Sequence, residues 1–93
     1  MPRPLLSDED KTDVFRGLSC PLRRELLTQL SGKEKTATEL LKGLELTQPA
    51  LSRHLRVLMD TGLVTCRAEG LHRYYSRNTA TLKKARTWLQ RNT

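Results

Sequence analysis

Ser52, Arg53 and Arg56 carry hydrogen-bonding groups at spacings that suit one side of a helix. They fall in the stretch Thr47 to Leu63, TQPALSRHLRVLMDTGL. Turning at about 100° per residue sets them opposite Leu51, Leu55 and Leu58. Gln48 lies in the first turn, the end that groove-reading helices point at base edges. A glutamine amide can pair with adenine N6 and N7, and an arginine fork with guanine O6 and N7 or with phosphate. Ser52 is short enough for a close phosphate or base contact. Arg56, further along, suits a phosphate better than a base. An ordinary solvated helix face is the plain alternative, and Gln48 could merely decorate the helix start.

The helix that must hold these groups has marked ends. Thr47 can cap it, and Pro49 falls in the first turn, where a missing N–H costs little. Leu51, Leu55 and Leu58 recur at i, i+4 and i+7 and form the buried stripe. Gly62 is placed to stop it. His54 lies toward the edge of that stripe, as a half-buried flank residue or a DNA contact.

A second basic element follows. Leu63-Val64-Thr65-Cys66-Arg67 is rich in β-branched and apolar types, and His72-Arg73-Tyr74-Tyr75-Ser76 alternates like a strand. Ala68-Glu69-Gly70-Leu71 can turn between them. The expected hairpin carries Arg67, His72 and Arg73 around Glu69-Gly70. Such a tip can reach backbone or minor groove, where arginine favours the negative potential. Alternatively these charges only block edge pairing. Tyr74 and Tyr75 point to opposite faces of a regular strand, so one packs inward.

The remaining elements frame these two. Residues 1–6 hold two prolines and read as a loose arm. Ser7 before Asp8, Glu9 and Asp10 looks like the start of a first helix, 7–19, with Val14, Phe15 and Leu18 as its apolar edge. Cys20-Pro21 interrupts it. A second helix carries Leu22, Leu26, Leu27 and Leu30 and ends at Ser31-Gly32-Lys33. Thr36 to Glu39 has the capping-box spacing and opens a third. The Thr36 hydroxyl, or the helix end it caps, could instead meet a phosphate. Gly43 to Leu46 links this helix to the Thr47 stretch. Two short helices with a tight Gly-containing link match a helix-turn-helix. Asn78-Thr79 can cap a last helix, 79–91, carrying Leu82, Ala85, Trp88 and Leu89.

Charge supports a polyanion partner. The chain has 93 residues and a net charge of +7. Residues 1–46 hold eight Lys/Arg and eight Asp/Glu, whereas 47–93 hold nine and two. The whole excess therefore begins at Thr47, which argues for nucleic acid over general solubility. The N-terminal residues lack the apolar core of a signal peptide, and no apolar run reaches the ~18 residues of a membrane span. Two cysteines are too few for a disulfide-built scaffold. A single cytoplasmic domain is expected. No nucleophile–base constellation or Gly-rich phosphate loop suggests an enzyme.

The sequence resembles the ArsR-type (arsenic-repressor-like) winged helix-turn-helix transcriptional regulators. Leu18 to Leu30, LSCPLRRELLTQL, is similar to that family's L-x-x-P-x-R-x-x-I-L-x-x-L segment. Leu46 to Tyr75, LTQPALSRHLRVLMDTGLVTCRAEGLHRYY, stands where the family has L-S-Q-x-x-(V/L)-S-x-H-L-x-x-L-x-x-(A/G)-G-L-V-x-x-x-x-x-G-x-x-x-Y-Y. The likeness covers roughly Asp13 to Arg77. It implies a homodimeric DNA-binding repressor that uses the Thr47 helix and the hairpin as a wing, and it keeps His54 among the DNA contacts. It also implies a dimer interface from the first and last helices, hence Val14, Phe15, Leu18, Leu82, Ala85, Trp88 and Leu89. Packing of Trp88 inside its own chain is the alternative.

The sequence departs from that family at its metal positions. A Cys-x-Cys pair is common at the third helix, where Thr36-Ala37-Thr38-Glu39-Leu40 stands here. Thr79 to Thr93 has no Asp, Glu, His or Cys for the other usual ligand set. No metal or other cofactor is expected. Cys20 and Cys66 could form a redox pair only if brought within disulfide range, and buried structural thiols are the simpler reading.

The expectation is therefore one winged-helix domain over 1–93, mainly α with a small β-hairpin, in the order four helices, two strands, helix. Its partners are double-stranded DNA, read as an inverted repeat, and a second copy of the chain. A winged-helix module for protein–protein contact and a thiol-redox-switched repressor are the alternatives.

Overall fold

The computed structural model describes residues 12–93, and the expected arm 1–6 and helix start at Ser7 lie outside them. The described elements are α1 (Val14–Leu18), α2 (Pro21–Gln29), α3 (Ala37–Leu41), α4 (Gln48–Asp60), β1 (Val64–Glu69), β2 (His72–Arg77) and α5 (Thr79–Arg91). This is the winged helix-turn-helix order.

Local chemistry explains most boundaries. Asp13 caps α1, its carboxylate accepting from Phe15 N at 2.8 Å. Pro21 opens α2, where its missing N–H is harmless. Thr36 and Glu39 form the full capping box of α3. The Thr47 hydroxyl accepts from Ala50 N, and Gly62, at φ +76°, turns the chain after α4. Asn78 caps α5.

The core is a leucine cluster at the meeting of α2, α3, α4 and β1. Leu26, Leu30, Leu40, Leu51, Leu58 and Leu63 are fully buried, with Leu27, Leu55 and Val64 beside them. Truncating one such leucine to alanine typically costs about 2–5 kcal/mol. This cluster fixes the rotation of α4, because its three-leucine stripe has one place to go.

The hairpin pairs Val64 with Arg77 at its root and Glu69 with His72 at its tip. Its loop is therefore only Gly70-Leu71. The expected turn Ala68 to Leu71 is narrower than anticipated, since Ala68 and Glu69 belong to β1. Gly70 has φ +61°, and among the described residues no φ other than a glycine's is positive, the signature of a type II′ turn with glycine first. A lone two-stranded hairpin is marginal in water. Here Lys35 pairs with Tyr75, N–H to O at 3.0 Å and 2.8 Å in the two directions, so the segment before α3 acts as a third strand. Val64 and Tyr75 pack inward on the core.

Candidate nucleic-acid interface

The buried leucine stripe turns the other side of α4 outward. Gln48, Ser52, Arg53 and Arg56 are all exposed there. The N-terminal ends of α3 and α4 and the wing tip then enclose a cleft of about 310 Å³. Thr36, Thr38, Gln48, Ser52, His72 and Arg73 supply its polar walls, with Ala37, Leu71 and Tyr75. Thr36, Gln48, Ser52, His72 and Arg73, separated by up to 37 positions in the chain, thus converge on one concave surface.

The other expected contacts sit differently. Arg53 is exposed on α4 outside the cleft walls. Arg56 is held by Asp60 one turn on, Nε to Oδ1 at 3.2 Å, in a solvent-exposed pair. His54 is half-buried, with its Nδ1 3.4 Å from Arg23 Nη1. Burial holds its pKa below the ordinary value, and the charges of Arg23 and Arg53 add to this. A neutral imidazole accepts from Arg23, so His54 faces α2.

Thr36 is committed to its cap. Its hydroxyl donates to Glu39 Oε1 at 3.1 Å and accepts from Glu39 N at 3.3 Å, while Glu39 Oε1 also accepts from Thr36 N. These bonds hold the Glu39 carboxyl below its usual pKa.

Arg67 is the clearest departure from the expected set. Its guanidinium donates to Glu34 twice, at 3.0 Å and 2.6 Å, and to Glu69 at 2.6 Å. It also lies 4.6 Å from the centre of the Tyr74 ring. A side chain expected to reach backbone or minor groove is held here in an ion-pair cluster.

The residues expected at a dimer interface divide. Ala85 is buried within the chain, and Val14, Leu18 and Leu82 pack against its core. Phe15, Trp88 and Leu89 remain open, with Trp88 54 % exposed. Phe15 and Trp88 meet edge-on, centroids 5.4 Å apart. Together with Asp13 they line a shallow depression of about 500 Å³.

Cys20 and Cys66 are both free and half-buried. Cys20 caps α2 through its backbone, and hydrogen bonding from the Arg23 N–H lowers its thiol pKa. Cys66 lies on β1 opposite Tyr75. Among the described residues no three His, Cys, Asp or Glu side chains converge as a metal ion would require. Among them, too, no helix is long and apolar enough to cross a membrane.

Leu71 is the functional candidate that sequence reasoning missed. It is 101 % exposed at the wing tip and lines the cleft. A two-residue reading of Glu69-Gly70-Leu71-His72 would have put it there.

A leucine-anchored helix with a polar outer face, beside a basic two-stranded wing, defines a winged-helix DNA-binding transcriptional regulator. Residues 20–65 match the family described as bacterial regulatory protein, arsR family. The transcriptional repressor SdpR of Bacillus subtilis is 31 % identical over 83 % of this chain and 86 % of its own. An arsenical resistance operon repressor of Staphylococcus xylosus is 37 % identical over 78 % of this chain and 70 % of its own. The solved ArsR-like transcriptional regulator from Rhodococcus sp. RHA1 superposes with a TM-score of 0.80 and 31 % identity, covering 90 % of this chain and 75 % of its own. The chain belongs to the ArsR family. That family is one of transcriptional regulators, not enzymes.

Proposed function

We propose that this chain is a cytoplasmic homodimeric repressor that reads an inverted-repeat operator through α4 and the wing. The convergence of Gln48, Ser52, His72 and Arg73 on one cleft carries this reading. Gln48, Ser52 and Arg53 give sequence preference, and Arg73, His72 and Arg56 give phosphate affinity. The +7 charge gathered from Thr47 onward supplies the salt-sensitive part of binding. The open Phe15, Trp88 and Leu89 surface joins two copies, which sets two recognition helices about 34 Å apart, one turn of DNA.

A duplex selected from a random library by the full chain tests the assignment. Arg53→Ala should lose about 1–3 kcal/mol on the selected sequence and relax preference at one position. Arg73→Ala should weaken all duplexes alike and reduce the salt slope by about 1. Equal, sequence-independent losses for both variants would refute base reading by Arg53.

A further inference from the structure

Arg67 and Arg73 both sit on the wing, yet on opposite faces of it. Strand alternation groups Arg67 and Glu69 with His72, Tyr74 and Ser76 on one face. Arg73 shares the other with Tyr75, which packs on the core, and with buried Val64. Arg67 therefore rises from the face away from the core and lies across the ring of its cross-strand partner Tyr74. Beyond β2 it meets Glu34 fork to fork, Nε to Oε2 at 3.0 Å and Nη2 to Oε1 at 2.6 Å. Glu34 immediately precedes Lys35, whose backbone is paired with Tyr75. One side chain thus spans β1, β2 and the 34–35 segment.

Its charge is already met. Nη1 donates to Glu69 Oε2 at 2.6 Å, so one guanidinium serves two carboxylates. A guanidinium engaged by two carboxylates has no uncompensated charge left for a phosphate. A bidentate arginine–carboxylate pair fixes geometry as well as contributing energy. We infer that Arg67 is a positioning residue: its fork to Glu34 braces the wing against the segment leading into α3, so that His72 and Arg73 stand over the cleft beside Gln48 and Ser52.

The proposal rests on the DNA-binding reading for its functional meaning, and on the wing's own rigidity for its structural one. Glu34→Gln separates brace from phosphate contact by sign. Removing an acid beside a phosphate-binding cation should strengthen DNA binding. Removing half of a brace should weaken it. On the selected duplex Glu34→Gln should bind about two- to fivefold more weakly, the scale of one exposed but bidentate pair. Arg67→Met should lose a similar factor, and the double variant no more than either alone. Amide exchange should quicken at Lys35 and Tyr75 in Glu34→Gln, while α4 amides stay protected. Unchanged or tighter DNA binding by Glu34→Gln, with Arg67→Met lowering the salt slope, would overturn the brace. Unchanged exchange at Lys35 and Tyr75 would overturn it even if the chain bound no duplex at all. That last failure, of binding by the unaltered chain, would instead sink the DNA-binding reading.

Discussion

Trp88→Ala is the sharpest perturbation of the proposed dimer. A tryptophan typically buries about 150–250 Å² when enclosed. Trp88 is 54 % exposed in the single chain, leaving roughly 80–135 Å² for a partner to cover. At about 25 cal/mol per Å² this is roughly 2–3 kcal/mol for each tryptophan. A two-fold interface carries the residue twice, about 4–7 kcal/mol in all. Incomplete coverage and the remaining alanine methyl halve this to about 2–3 kcal/mol, or a dimer Kd raised about 30- to 150-fold. The same change removes the edge contact to Phe15, worth about 0.5–1.5 kcal/mol within the chain. The midpoint of thermal unfolding of the single chain should therefore fall by about 2–12 °C. Sedimentation equilibrium measures the Kd directly, with Trp88→Phe as the variant that keeps most of the effect. Operator binding should then require correspondingly higher protein concentration. A dimer Kd unchanged in Trp88→Ala, with the chain still dimeric, would place the interface elsewhere and refute the reasoning.

Two further perturbations test how the recognition helix is seated. Because the fold holds His54 below its ordinary pKa of 6.5, the unfolded chain takes up the proton first as pH falls. Its contribution to stability is thus intact above about pH 6.5 and lost as pH drops through the folded value; denaturant midpoints at pH 7.5 and 5.5 should converge for His54→Gln relative to the parent, and an identical pH dependence would exclude His54. Gly17→Ala should lower the melting temperature. Its Cβ would stand 2.5 Å from Leu63 Cδ1 and 2.7 Å from Thr61 Oγ1. Leu63 is fully buried, and Thr61 is pinned by donating to Val57 O at 2.9 Å. Overpacking of about 1–3 kcal/mol outweighs the helix preference of alanine, about 1 kcal/mol. A higher melting temperature would show that α1 stands off freely.

What the sequence made legible was local. Thr47, Pro49, the leucine stripe and Gly62 all act within one helix, so the bounds of α4 could be read from spacing. The Thr36–Glu39 cap and the Asn78 cap are equally short-range. What escaped were pairings between distant segments. Arg67 finds Glu34 across 33 positions, and nothing in Thr-Cys-Arg-Ala-Glu marks it as occupied. The Lys35–Tyr75 bridge has no turn signal, because a whole helix-turn-helix intervenes. On α5 the apolar residues merged into one stripe, although two surfaces share it. Ala85 points into the core, while Trp88, about 300° further round the helix, points past it. Helical spacing showed an apolar side there and could not divide it between core and partner.

The two proposed surfaces are also bridged by hydrogen bonds, through a residue neither was expected to contain. An α-helix leaves its last carbonyls unpaired, and five residues are too few for one to persist alone. In α1 those carbonyls are met from α2. Arg23 donates to Gly17 O at 3.0 Å and to Arg16 O at 2.9 Å, and Arg24 to Leu18 O at 2.6 Å. Two cations at a helix C-terminus also complement its dipole. The same Arg23 guanidinium meets His54 on α4. The helix presenting Phe15 is thereby tied to the helix presenting Ser52 and Arg53 through one side chain.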